Sequence, residues 1–162
     1  MKFFKPKFWE EKESIYSKIL YPISLIYKFI FTCKNIMSRA KKFKIPVVCV
    51  GNIYLGGTGK TPLAMLLQNE LKKIKNPVII KKHYKDQEDE QNLIRAKKIS
   101  LIVSKKRQNA LRLAHKKGFD LAILDDGFQD YSIHKDLSII CFNSKQLVGN
   151  GLVLPAGPLR EE

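Results

Sequence analysis

The stretch Tyr54-Leu55-Gly56-Gly57-Thr58-Gly59-Lys60-Thr61-Pro62 decides the fold, and it lies between two apolar segments. Val47-Val48-Cys49-Val50 before it has the length and β-branched character of a buried strand, and Leu63-Ala64-Met65-Leu66-Leu67 after it has helical spacing. Strand, glycine loop and helix in that order put Gly56, Gly57, Thr58 and Gly59 where backbone N–H groups can turn inward around a phosphate. The start of the helix adds its positive dipole end to the same spot. Lys60 then reaches the β and γ phosphates of ATP, and the Thr61 hydroxyl becomes a ligand for Mg²⁺. The full phosphate-loop pattern asks for glycine at position 54, where this chain has tyrosine. A glycine turn carrying an incidental lysine is the competing reading, and the coincidence of strand, glycines, Lys and Thr weighs against it.

Downstream, the helix runs to Lys72-Lys73-Ile74-Lys75-Asn76 and Pro77 opens a second strand through Val78-Ile79-Ile80, completing a βαβ unit. Ile99 to Val103 reads as a third strand, followed by a helix with Ser104 as N-cap, Gly118 as its stop, and Ala110, Leu113 and Ala114 facing inward. Leu121-Ala122-Ile123-Leu124 is a buried strand that ends on Asp125-Asp126, and a last strand spans Leu137 to Phe142. The predicted fold is α/β, a mostly parallel P-loop NTPase-type sheet flanked by helices. In such a sheet ligands gather beyond the carboxyl ends of the strands, so Asp125 and Asp126 would face the phosphate loop and support the metal. An Asp-Asp-Gly surface turn is the alternative at that point.

Upstream of the core, residues 1–44 form a separate segment, with the phosphate-loop core at 45–162. Phe3, Phe4, Phe8 and Trp9 alternate with Lys2, Lys5 and Lys7, a mixture suited to the headgroup level of a bilayer. From Ile15 to Phe31 the spacing is that of an amphipathic helix, with Ile15, Ile19, Ile23, Ile26 and Ile30 on one face and Ser17, Tyr21, Ser24 and Lys28 on the other. A span needs about 20 residues free of charge, and Lys18, Pro22 and Lys28 interrupt this one, so the helix is expected to lie in the membrane interface. The apolar face packing on its own domain or on a partner is the other reading. No small-residue cleavage site of a signal peptide follows the apolar run.

Composition narrows the partners. The 162 residues carry a formal net charge of +15, which favours polyanions: anionic lipid, phosphorylated substrate or nucleic acid. A general bias toward lysine explains the charge as well, and no helix-turn-helix, RNA-binding or zinc signature accompanies it, so no nucleic-acid partner is expected. Cys33, Cys49 and Cys141 lie far apart without metal-ligand spacing, as in a reducing compartment.

Gly56 to Pro62, Asp125-Asp126-Gly127-Phe128-Gln129, Gly149-Asn150-Gly151 with Leu154 to Glu161, and the start Phe8-Trp9 with Tyr21 to Tyr27, taken in this order, resemble the tetraacyldisaccharide 4'-kinase (lipid A 4'-kinase) family. The resemblance implies a kinase that moves the γ-phosphate of ATP, with Mg²⁺, to the 4' hydroxyl of a lipid A disaccharide precursor at the cytoplasmic face of the bacterial inner membrane, held peripherally on the membrane surface. Carried onto this sequence, it makes Lys60 catalytic and phosphate-binding and Asp89 the base with Glu90 its neighbour. It gives Thr61, Asp125 and Asp126 to the metal, and Tyr84, Gln129, Arg160 and Glu161 to the acceptor. Read without it, residues 88–90 are an acidic loop and the tail after Gly149 is an ordered loop. The family's Ser-Arg-Gly-Tyr run appears as Lys81-Lys82-His83-Tyr84, Gln91 stands for a proline, and Asp130 for a frequent histidine. Members also continue into a smaller C-terminal lid, so the expectation is such a kinase or the N-terminal part of one, with a second chain as a candidate source of the lid. An inactive remnant that binds nucleotide or lipid, and an unrelated ATPase acting on nucleic acid, are the alternatives.

Overall fold

The structure is a computed structural model that describes residues 5–54, 57–84, 92, 94, 96–97, 99–144 and 147–161. The chain divides into two units: Met1–Ser38 with Asn52–Thr58 and Phe142–Glu162, and Arg39–Gly51 with Gly59–Cys141. These units cut the chain differently from a boundary after residue 44, because segments from both ends gather in the first of them.

The second unit holds the sheet. Its strands are β1 (Val47–Gly51), β2 (Pro77–Lys82), β3 (Leu101–Ser104), β4 (Leu121–Asp125) and β5 (Leu137–Ile140). Their order is β3-β2-β4-β1-β5, and every pairing is parallel. Parallel strands must be covered on both faces, and the alternation of side chains shows how. Cys49, Val78, Ile80, Ala122 and Leu124 pack with Ala110, Leu111 and Ala114 of helix α3 (Arg107–Lys116). Val50, Ile79 and Ile123 point the other way and pack with Ala64 and Met65 of helix α2 (Lys60–Leu71). Two details differ from the sequence reading. Leu113 is 42% exposed and Leu111 takes its inward place, while Ser104 ends β3 and Lys106 is the residue that precedes α3. Gly118 does end the α3 segment, at φ 80°.

The first unit is built on helix α1 (Ile15–Met37), which is longer than the periodicity suggested and carries Pro22 inside it. Its buried residues are Ser17 and Ser24. Ser17 Oγ donates to the Ala156 carbonyl at 3.0 Å and Ser24 Oγ to the Val153 carbonyl at 2.9 Å. Ile15, Ile19, Ile23, Ile26 and Ile30 are exposed. The helix thus packs by its small polar stripe and leaves its apolar face uncovered, a combination that the sequence reading did not contain.

The Gly149-to-Glu161 segment is the surface α1 rests on. Asn150 Nδ2 donates to Ser17 Oγ at 3.1 Å and to the Ala156 carbonyl at 2.9 Å, while its Oδ1 accepts from Leu152 N at 3.1 Å. Gly149 sits at φ 61°, and a Cβ there would lie 2.6 Å from the Trp9 carbonyl, so glycine is required. Trp9 is buried and donates its indole N–H to the Pro155 carbonyl at 3.0 Å. This corrects the expectation that Trp9 is available to lipid headgroups; Phe3 and Phe4 lie outside the described residues. Tyr54, the residue that departs from the phosphate-loop pattern, is fully buried with Val153 and Leu159 and accepts a hydrogen bond from Asn143 N on its phenol oxygen. A large anchored side chain has replaced the pattern's flexible glycine.

Candidate functional site

Helix α2 begins at Lys60, directly after Gly59 at φ 75°. A Cβ on Gly59 would touch nothing within 4 Å, so its glycine serves the left-handed backbone that turns the chain into the helix. The Gly59 carbonyl accepts from Leu63 N at 3.0 Å, while the N–H groups that precede Leu63 in α2 have no intrahelical partner by construction. Thr58 Oγ1 is buried with no hydrogen-bond partner among the described residues. Such a helix start suits an anion.

Across from the helix start, β4 ends on Asp125, whose register partner on β1 is Val50 and on β2 is Lys81. Thr61 Oγ1 donates to Asp125 Oδ2 at 2.8 Å, and Lys81 Nζ donates to the same oxygen at 2.8 Å. Lys81 and Asp125 side chains are 3% and 1% exposed. Asp126 adopts φ 56°, held by its N–H on the Val50 carbonyl at 2.9 Å, and its Oδ1 lies 3.7 Å from Lys60 Nζ. That separation is an ion pair too long for a hydrogen bond.

The donor set fits a magnesium ion. Thr61 and Asp125 offer hard oxygens, and Asp125 Oδ1 is buried without a hydrogen-bond partner among the described residues. Magnesium keeps most of its shell for water and phosphate oxygens and needs few protein ligands. Those two side chains would hold it, and the ion would supply charge neutralisation for the phosphates.

Of the other residues named from the sequence, Gly57 and Gly59 are exposed at the loop, and Gly56, Asp89 and Glu90 lie outside the described residues. Tyr84 is exposed with Lys82 Nζ 5.3 Å from its ring centroid, and Gln129 is half-buried beyond β4. Arg160 and Glu161 belong to the first unit. There Arg160 N donates to the Ile53 carbonyl at 2.6 Å, and both side chains act on the Tyr27 phenol, which burial pushes above its usual range against the pull of Arg160.

Two residues of the site escaped the sequence reading. Lys81 is hidden by a composition with 30 lysines and arginines; its signal was a cation at the carboxyl end of an apolar strand, the same signal that picked out Asp125. Arg107 is buried at the start of α3, donating to the Asp126 carbonyl at 2.5 Å and pairing with Asp130 at 3.4 Å. Asp130 also accepts from Ser132 Oγ at 2.6 Å, so this acidic residue has structural partners of its own. Lys82, Lys105, Lys106 and Arg107 line an open cavity of about 330 Å³.

The cysteines take no part in this arrangement. Burial pushes the Cys49 thiol up to about 11 and raises that of Cys141, with Lys60 opposing the second shift. Both stay protonated at neutral pH and inert to electrophiles. In a maleimide time course at pH 7, Cys33, which is partly exposed, is therefore expected to react at least about tenfold faster than Cys49.

Comparison with known proteins agrees with the geometry. The family model described as Tetraacyldisaccharide-1-P 4'-kinase matches residues 16–162. A tetraacyldisaccharide 4'-kinase from Pelagibacter ubique is 47% identical over 99% of this chain and 51% of its own length; one from Rickettsia bellii is 36% identical over 99% and 55%. The crystal structure of LpxK from Aquifex aeolicus in complex with ATP superposes with a TM-score of 0.75 at 31% identity, covering 90% of this chain and 54% of that one. The chain spans about half the length of the curated relatives it matches. With its parallel sheet, its Lys60-Thr61 helix start and Asp125 at the strand edge, the chain belongs to the tetraacyldisaccharide 4'-kinase family.

Proposed function

We propose that this chain carries the nucleotide half of a lipid A 4'-kinase, transferring the γ-phosphate of ATP to the 4' hydroxyl of a tetraacyldisaccharide 1-phosphate. The observation that carries the reading is the contact between Thr61 Oγ1 and Asp125 Oδ2 beside the Lys60 helix start. Phosphoryl transfer depends mainly on positioning and charge stabilisation. The α2 start and Lys60 bind and orient the phosphates; Thr61 and Asp125 hold Mg²⁺, with Asp126 supporting them. Asp89, with Glu90 beside it, is the base for the sugar hydroxyl, and Tyr84, Gln129, Arg160 and Glu161 orient the acceptor. A smaller lid domain, on a second chain or beyond this one, would exclude water.

The test is transfer of label from γ-labelled ATP to tetraacyldisaccharide 1-phosphate in detergent. Transfer supports the reading. Binding of Mg–ATP without transfer, unrelieved by adding the rest of a family member, would leave an inactive remnant.

Residues 1–44 serve in this reading as the peripheral membrane segment on the cytoplasmic face of the inner membrane. The uncovered isoleucines of α1, with Ile19 at 66% and Ile26 at 61% exposure, support it, as does the charge of +15. Among the described residues no helix is long and apolar enough to cross a membrane. The double variant Ile19→Asp/Ile26→Asp is expected to lower binding to anionic vesicles at least about tenfold, since each isoleucine contributes about 1.5–3 kcal/mol when buried. Its melting temperature should not change, because neither side chain is buried in the protein. Equal sedimentation with vesicles would remove the α1 face from the account.

A further inference from the structure

Lys81 is a lysine with almost no access to water, and its surroundings explain how it remains there. Its Nζ is 2.8 Å from Asp125 Oδ2 and 3.5 Å from Thr61 Oγ1, and those two oxygens are themselves 2.8 Å apart. The three groups form a closed triangle on adjacent elements: β2, β4 and the start of α2. An ammonium therefore already stands on the two side chains whose chemistry suits a divalent ion. We infer that Lys81 is a built-in counter-cation of the metal site, which holds Thr61 and Asp125 together before nucleotide arrives and with which a divalent ion must compete.

The inference rests on the assignment of Thr61 and Asp125 to the metal. Two cations drawn to one carboxylate repel each other, and in a poorly hydrated site that repulsion is felt strongly. Divalent ions alone should then bind weakly, and phosphate oxygens would be needed to tip the competition. The alternative is that Lys81–Asp125 is only a buried ion pair and leaves metal affinity untouched. Asp125 Oδ1, which has no hydrogen-bond partner among the described residues, is the atom through which an ion could bind without disturbing Lys81. The two cases differ in a measurable affinity.

Mn²⁺ binding followed by electron paramagnetic resonance, without nucleotide, compares the protein with its Lys81→Met variant. Binding at least about tenfold tighter in the variant is expected from removing a cation in contact with the ligand carboxylate. Equal or weaker binding overturns the inference. A second measurement needs no variant and so does not depend on Lys81→Met folding: reductive methylation with ¹³C-formaldehyde, read residue by residue. Lys81 should be protected in the free protein and with ADP in EDTA, and become reactive with Mg–ADP. Protection unchanged by Mg–ADP that calorimetry finds bound overturns the inference and leaves the metal assignment standing. ADP affinity independent of Mg²⁺ overturns both.

Discussion

Lys60→Ala is expected to lower phosphoryl transfer about 10³-fold, roughly 4 kcal/mol of transition-state stabilisation. The size follows from where the lysine stands. It opens α2, beside Gly59, so its ammonium and the helix start act on the same phosphates. Its ion pair to Asp126 is long and partly exposed, and pairs of that kind contribute little to folding. The melting temperature of the variant should therefore stay within about 2 °C of the parent. Steady-state transfer and thermal unfolding on the same preparation check both halves of the expectation. Unchanged transfer would sink the phosphate assignment, and a large loss of stability would show that the lysine is structural.

Asp125→Asn is expected to fail in both measurements. Removing this carboxylate takes from buried Lys81 the anion it contacts at 2.8 Å, and breaking a buried pair by removing one partner costs about 3–5 kcal/mol. For a chain of this size that is a fall in melting temperature on the order of 10 °C. Nucleotide binding should also lose its Mg²⁺ dependence. The double variant Asp125→Asn/Lys81→Met separates the two effects. It should regain most of the stability, because the ammonium leaves together with the carboxylate it paired with, and none of the Mg²⁺ dependence, because the ligand is still gone. Additive losses in this cycle would mean that the two side chains do not interact as described.

The sheet and the loop were legible in the sequence because both follow from local pattern. Short apolar runs such as Leu121–Leu124 become central parallel strands wherever helices cover both faces. A glycine loop leading into Lys60-Thr61 fixes where the helix must start. Asp125 was legible for the same reason, as an acid at a strand's end. Lys81 stands at the end of an apolar strand too, but among so many lysines that position went unread until register set it opposite Asp125. Arg107 was equally hidden: nothing in Arg107-Gln108-Asn109 announces that its guanidinium folds under Asp126. The phosphate-loop mismatch at Tyr54 also needed coordinates. Its ring lies among Val153 and Leu159, which are about a hundred residues away in the chain.

Periodicity likewise gave α1 two faces without saying which one the protein covers. Hydrophobicity favours the isoleucines, yet the contact is made by Ser17 and Ser24 on loop carbonyls. Carbonyl groups of the Gly149-to-Glu161 segment need donors, and a stripe of serines supplies them at close approach. That geometry inverts the substitution pattern usual for a surface helix. At positions 19, 23 and 26 one aliphatic residue can drift to another with little effect on the fold. At 17 and 24 even a single added methyl group would push the helix off the backbone it lies on, and alanine or glycine would take the serine donors from the Ala156 and Val153 carbonyls, so both positions should hold to serine.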